Sequence, residues 1–240
     1  GNYVWVDTGS AQTTTDDLTF RWRITQAVIP VTVTVPNQVD YTGRDFDDSN
    51  IQVSFDSQYS SIIRGYTLSY TSSGSPVTPR NVGSYTVNVQ FTLSNDNYRC
   101  DISYQQPGGS STTNTFSIQP VNLTAAAPDT GLLTVNYDGS AHTVPGPVIT
   151  GLVGDDLTSQ TGYSVSYQYY TTDSDAVKTV EDTPFTLTDA GTYHITATVT
   201  PGSNYTITGA DPDTGAATVT YEFTILGEQK QTITLEDQST

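Results

Sequence analysis

After Gly83, the residues Tyr85, Val87, Val89, Phe91 and Leu93 alternate with Thr86, Asn88, Gln90 and Thr92, the two-residue period of a strand with one buried face. Further along, Tyr193, Ile195, Ala197 and Val199 alternate in the same way with His194, Thr196, Thr198 and Thr200. Val31, Val33 and Val35 predict a first strand of this kind, and Tyr66, Leu68 and Tyr70, with their counterparts Tyr163, Val165 and Tyr167, predict a middle one. Clusters of Gly, Pro, Asn and Asp separate these runs, and no stretch keeps apolar residues at helical spacing for more than two turns. Short alternating strands without helices to make crossovers predict an all-β fold, in which antiparallel sheets pack as a sandwich.

The same landmarks occur twice in the same order, so the pattern belongs to a repeat. Tyr41-Thr42-Gly43 returns as Tyr137-Asp138-Gly139, Gly65-Tyr66 as Gly162-Tyr163, Asn97-Tyr98 as Asn204-Tyr205, and Phe116-Ser117-Ile118 as Phe223-Thr224-Ile225. Gly65 and Gly162 stand 97 positions apart whereas Tyr85 and Tyr193 stand 108 apart, so the second copy carries 11 extra residues, near positions 171–182. The complete copies fall at residues 28–119 and 120–227, each about the size of a sandwich domain. Residues 1–27 read as the last hairpin of a preceding repeat, and 228–240 as a linker and the first strand of a following one. A hairpin of that kind is marginally stable alone and needs something to cover it.

Composition narrows the function classes. The 240 residues carry 25 acidic and 8 basic side chains, a formal net charge of −17 that repels a nucleic-acid backbone. No apolar run is long enough to span a bilayer, so no membrane insertion is expected of this segment, and neither a signal peptide nor a wall-anchoring tail is visible. The chain reads as an internal excerpt of a longer protein. Cys100 is the single cysteine and shares its parity with Tyr98, Ile102 and Tyr104, which predicts a buried, inert thiol.

Gly83 and Gly191 each precede, by two positions, a tyrosine that opens a long strand. The placement of Tyr85 and Tyr193 resembles the tyrosine corner of immunoglobulin-like domains, where the hydroxyl bonds a backbone group and pins the turn. An ordinary buried tyrosine is the alternative. The two glycines are expected to supply a backbone conformation that a side chain resists. Taken together, the order Tyr-x-Gly, Gly-x-Tyr, Asn-Tyr and a closing Phe-x-Ile or Trp-x-Ile resembles the bacterial surface-adhesin repeats of the MBG or YDG type. That resemblance covers nearly the whole chain and implies tandem immunoglobulin-like domains of a secreted or wall-attached protein, at the bacterial cell surface. It brings no shared catalytic residues with it.

Candidates for chemistry are few. His142 follows the Asp138-Gly139-Ser140 turn, His194 lies on the polar face of its strand, and neither has a histidine counterpart in the other copy, which points away from catalysis. Asp45, Asp47 and Asp48 after the first Tyr-x-Gly, with Asp155 and Asp156 in the second copy, are weak calcium candidates. Their spacing is not that of an EF-hand loop, and solvation is the plainer role. Lys178 and Lys230 are the only lysines, one in the insertion and one in the linker, so a crosslink from lysine to Asn or Asp shared by both copies is not expected. Trp5, Tyr169 and Tyr170 are aromatics that either stack on sugars or complete cores; Trp5 and Trp22, at alternating positions, favour a core.

Two functions follow as expectations. The first is a non-catalytic stalk or spacer, a monomeric rod that turns repeat number into reach. The second is an adhesin module that grips a host glycan or surface protein with loops at the sandwich end or with the insertion.

Overall fold

The computed structural model describes residues 23–109, 112–172, 174–180 and 185–227. Trp5, Trp22, Lys230, nearly all of the N-terminal hairpin and the whole C-terminal segment lie outside them. The chain divides into two units, one of residues 1–39 and 45–118, the other of residues 40–44 and 119–240. The short segment Asp40–Arg44, which carries the first Tyr-x-Gly, groups with the second unit.

The first unit runs β1 (Ala27–Thr34), β2 (Gln38–Asp40), β3 (Gln52–Phe55), β4 (Ile63–Ser72), β5 (Ser75–Val77), β6 (Gly83–Leu93), β7 (Tyr98–Gln105) and β8 (Thr115–Gln119). These form a three-stranded sheet in the order β3-β1-β7 and a five-stranded sheet in the order β2-β8-β6-β4-β5. Alternation decides which side chains go inside. Ile29, Val31 and Val33 of β1, Tyr85 and Val87 of β6, and Phe116 and Ile118 of β8 are buried, while the residues between them reach towards solvent. Each such aliphatic or aromatic side chain contributes roughly 1.5–3 kcal/mol of burial free energy. In β4 the phase changes, because two residues at Ile63–Gly65 oppose one step of β6. That bulge lets Ile63 and, further along, Tyr70 face the same interior despite opposite parity.

The second unit repeats the plan with β9 (Val121–Ala126), β10 (Thr134–Asn136), β11 (His142–Thr143), β12 (Val148–Thr150), α1 (Gly154–Ser159), β13 (Tyr163–Thr171), β14 (Ser174–Val180), β15 (Thr186–Leu187), β16 (Gly191–Pro201), β17 (Tyr205–Ile207) and β18 (Ala217–Leu226). Its sheets are β12-β9-β17 and β10-β18-β16-β13-β14, with a small extra pair β11-β15. Tyr167, Phe185, Tyr193, Ile195, Tyr221, Phe223 and Ile225 make one apolar cluster with Val144 and Leu187. Both units are immunoglobulin-like β-sandwiches.

Three features differ from the sequence expectation. The pairings are not all antiparallel: β1 with β7, β9 with β17 and β10 with β18 run parallel. Alternation says which face is buried and is silent on strand direction. The acidic stretch at Asp155 and Asp156 is a six-residue helix, α1, too short to show a period. Both carboxylates lie in its first turn, where they complement the helix dipole, and Gln160, in the left-handed region at φ 53°, ends it. The insertion lengthens the edge hairpin: Tyr70 faces Val77, seven residues on, whereas Tyr167 faces Val180, thirteen on.

Candidate functional site: tyrosines and carboxylates

The long central strands β6 and β16 each enter their sheet through a tyrosine whose hydroxyl reaches back four residues. Tyr85 Oη donates to the carbonyl of Asn81 at 2.7 Å, and Tyr193 Oη donates to the carbonyl of Asp189 at 2.6 Å. The rings are buried, so each hydroxyl satisfies a backbone group at the edge of the core while the ring fills it. Burial holds the Tyr193 phenol above its usual range. The two glycines differ: Gly191 has the positive backbone angle expected of it, and Gly83 does not. Gly83 has no left-handed backbone angle, and a Cβ there would meet only Tyr85, at ordinary contact distance of 3.7 Å or more. Gly191 has φ +156°, an angle that side chains rarely adopt, and a Cβ there would meet the Tyr193 ring only at 4.0 Å. Neither position excludes a side chain by crowding; the tyrosine and its hydroxyl mark the corner.

The five carboxylates considered for calcium are not gathered. Asp47 caps the 3-10 turn Asp48–Asn50 by accepting the Ser49 N–H at 2.9 Å, and that bond holds its carboxyl below the usual range. Asp48 accepts a hydrogen bond from the Tyr70 hydroxyl, whose pKa is raised, first by burial and then by this carboxylate. Asp45 lies 3.6 Å from Arg80, and Asp155 lies 3.9 Å from Arg44, both as exposed ion pairs. Among the described residues no three His, Cys, Asp or Glu side chains come close enough to share a metal.

Asp156 has a different role from the one its sequence context suggested. Its Oδ2 accepts hydrogen bonds from Tyr41 and Tyr205, each at 2.8 Å, and its Oδ1 accepts from Thr161 Oγ1 at 3.0 Å. The two tyrosine rings meet edge to face with centroids 5.4 Å apart. Tyr205 Oη also accepts the Val153 N–H at 3.3 Å. Burial, opposed by that N–H and assisted by the carboxylate, pushes the Tyr205 phenol up to about 12. The backbone closes tightly around the trio. A Cβ on Gly43 would stand 2.4 Å from the Val153 carbonyl oxygen, and one on Gly154 would stand 2.2 Å from the Thr42 carbonyl oxygen. Both glycines are left-handed, so each position requires glycine twice over. Tyr41, Tyr205 and Asp156 each belong to a landmark of the repeat or an acidic pair, and nothing local in the sequence joins them.

The remaining candidates stand apart from one another. His194 on the outer face of β16 lies between its cross-strand neighbours, stacked on Tyr170 at 4.6 Å and with Nδ1 3.2 Å from Glu222. His142 Nε2 is 3.1 Å from the Asp138 carboxylate without forming a hydrogen bond. Lys178 sits over the Tyr169 ring at 5.7 Å, and Tyr169 packs on Phe185 and Tyr193, so it serves the core rather than an outer surface. Cys100 lies half-buried on the inward-facing parity of β7, and burial raises its thiol pKa. In the first unit an open groove of about 650 Å³ is lined by Phe46, Asp48, Tyr70, Pro76, Val77 and Pro79 among others.

No family model matches the chain, and no curated protein matches it. Among solved structures, the chain is similar to the N-terminal four Ig domains of Dscam1 isoform 7.44, at 10% identity over 85% of this chain and 52% of that one, with a TM-score of 0.22. The chain thus spans about half the length of that structure. The fold stands on the sheets and cores described above. No helix among the described residues is long and apolar enough to cross a membrane.

Proposed function

We propose that this chain is a non-catalytic spacer segment of a secreted or surface-attached bacterial protein, of the kind its MBG/YDG-like landmarks suggest. One observation carries the reading. The two copies build the same sandwich twice, down to the hydroxyl of Tyr85 on Asn81 and of Tyr193 on Asp189, and their conspicuous tyrosines and carboxylates are spent on internal hydrogen bonds. Such modules contribute length and resistance to unfolding, and chemistry is left to other parts of the parent protein.

Small-angle scattering tests the spacer reading. A compact 240-residue globule has a radius of gyration of about 18 Å, whereas two 13 Å domains held end to end give about 21 Å or more. A value near the lower figure removes the spacer reading.

A second reading is favoured by the lengthened hairpin, where Val177 of β14 is 60% exposed and Tyr170 of β13 is 38% exposed. An adhesin module would use this edge to hold a glycan or a host protein. Deletion of residues 172–178 abolishes binding in a glycan or receptor screen under that reading, and a spacer gives no signal to abolish.

A further inference from the structure

The two Tyr-x-Gly motifs leave the sandwich in the same way. The Tyr41 N–H donates to the Gln119 carbonyl at the end of β8, and the Tyr137 N–H donates to the Leu226 carbonyl at the end of β18, each at 2.9 Å. Gly43 and Gly139 are both left-handed, at φ +70° and +80°. In place of Thr42 the second motif has Asp138, which closes its turn by accepting the Ser140 N–H at 2.8 Å. Backbone position and turn are therefore shared.

The surroundings are not. Tyr41 is 3% exposed, whereas Tyr137 is 37% exposed. A Cβ on Gly43 would strike the Val153 carbonyl, but one on Gly139 would have no atom of the described residues within 4 Å. The first motif is seated within the second unit, on the Tyr205 ring, the Asp156 carboxylate and the Gly154 backbone. The second motif presents the same shape, and among the described residues no ring or backbone packs against its tyrosine and glycine as Tyr205 and Gly154 pack against Tyr41 and Gly43.

We propose that Tyr137-Asp138-Gly139 is a docking element for a further sandwich repeat of the second copy's kind, one that offers a tyrosine ring and a carboxylate as Tyr205 and Asp156 do. The complementarity is already displayed once in this chain: phenol hydroxyl to carboxylate, ring edge to ring face, and glycine backbone against glycine backbone. So small a contact binds weakly between separate molecules. It becomes effective when the partner follows in the same chain, where tethering supplies a high effective concentration. The inference rests on the reading of the chain as one stretch of a repeat series, and it adds a specific joint to that reading.

The test is the full chain with residues 120–226 duplicated in tandem, so that Pro120 of the new copy follows Leu226 directly, as it follows Gln119 in the original, with Tyr137→Phe in the new copy so that the first copy's Tyr137 alone is read. Hydroxyl-radical footprinting of Tyr137 is compared between the two chains, with Tyr41 as the seated standard and Tyr193 in each copy reporting that the copy is folded. The oxidation rate of Tyr137 is expected to fall several-fold in the duplicated chain. It is expected to return when the new copy carries Asp156→Ala, while Tyr41 stays protected. Equal oxidation of Tyr137 in the original and duplicated chains overturns the proposal. Should the new copy not fold, the parent chain is mixed at millimolar concentration with its Tyr41→Ala variant, whose receiving surface is vacated. Protection of Tyr137 in that mixture supports the docking, and its absence counts against it. Scattering reads reach and footprinting reads this one contact, so the spacer reading and the joint fail separately.

Discussion

Replacing Tyr193 with Phe removes one oxygen and leaves the buried ring in place. The lost bond is the 2.6 Å hydroxyl donation to the Asp189 carbonyl, which lies at the turn before β16. An intramolecular hydrogen bond is worth about 1 kcal/mol net, and a carbonyl left without its partner adds a desolvation cost, so the expected loss is roughly 1–2 kcal/mol. For a sandwich of about 100 residues this lowers the melting temperature by about 4–12 °C. Tyr85→Phe, which removes the 2.7 Å bond to Asn81, is expected to cost the same in the other unit. The two hydroxyls serve different cores, so the double variant should show the sum of the single losses. Urea unfolding followed by calorimetry measures all three. A loss below about 0.3 kcal/mol in both single variants would refute the view that the hydroxyl pins the corner, and leave each tyrosine as ordinary core filling.

Three further outcomes follow from the same geometry. In alkali, the phenols of Tyr70, Tyr167, Tyr193, Tyr205 and Tyr221 are held above 10.0, chiefly by burial, so a native absorbance titration should fall short of the unfolded total at pH 10–11. Their folded pKa values lie above the unfolded one, so their contribution to stability is complete below pH 10 and is lost as pH rises towards and past about 12 for Tyr205. A native titration indistinguishable from that of the denatured chain contradicts this. Gly43→Ala should expose Tyr41 to radical oxidation, because the new methyl would lie 2.4 Å from a carbonyl oxygen. Gly139→Ala, with only left-handed strain of about 1–2 kcal/mol to bear, should leave Tyr41 protected. Millimolar calcium and a chelator should give the same melting temperature, since the five candidate carboxylates already have separate protein partners; a calcium-dependent rise of several degrees would show a site that the folded chain assembles from other groups.

Much of the fold is legible in the residue pattern because a strand writes its buried face locally. Val31, Val33, Tyr85, Val87 and Ile195 can be assigned to a core by parity alone. What the pattern leaves out is set by contacts distant in sequence. Parallel pairing of β1 with β7 depends on how the chain returns. The bulge at Ile63–Gly65 reverses parity within a strand. Asp156 reads as one half of an acidic pair in a loop, yet its partners are Tyr41, 115 residues away, and Tyr205, 49 residues away. Gly83 shows the opposite error: a glycine at a matching place invites an argument from backbone strain, and the backbone there is ordinary.

Two interiors, built alike, follow one another along the chain. Pulling a single molecule by its ends tests this arrangement most directly. Two separate unfolding events are expected, each releasing on the order of 300 Å of chain at about 3.5 Å per residue, with Tyr85→Phe and Tyr193→Phe each weakening one event and not the other. A single event releasing the whole length, weakened equally by either substitution, would contradict it.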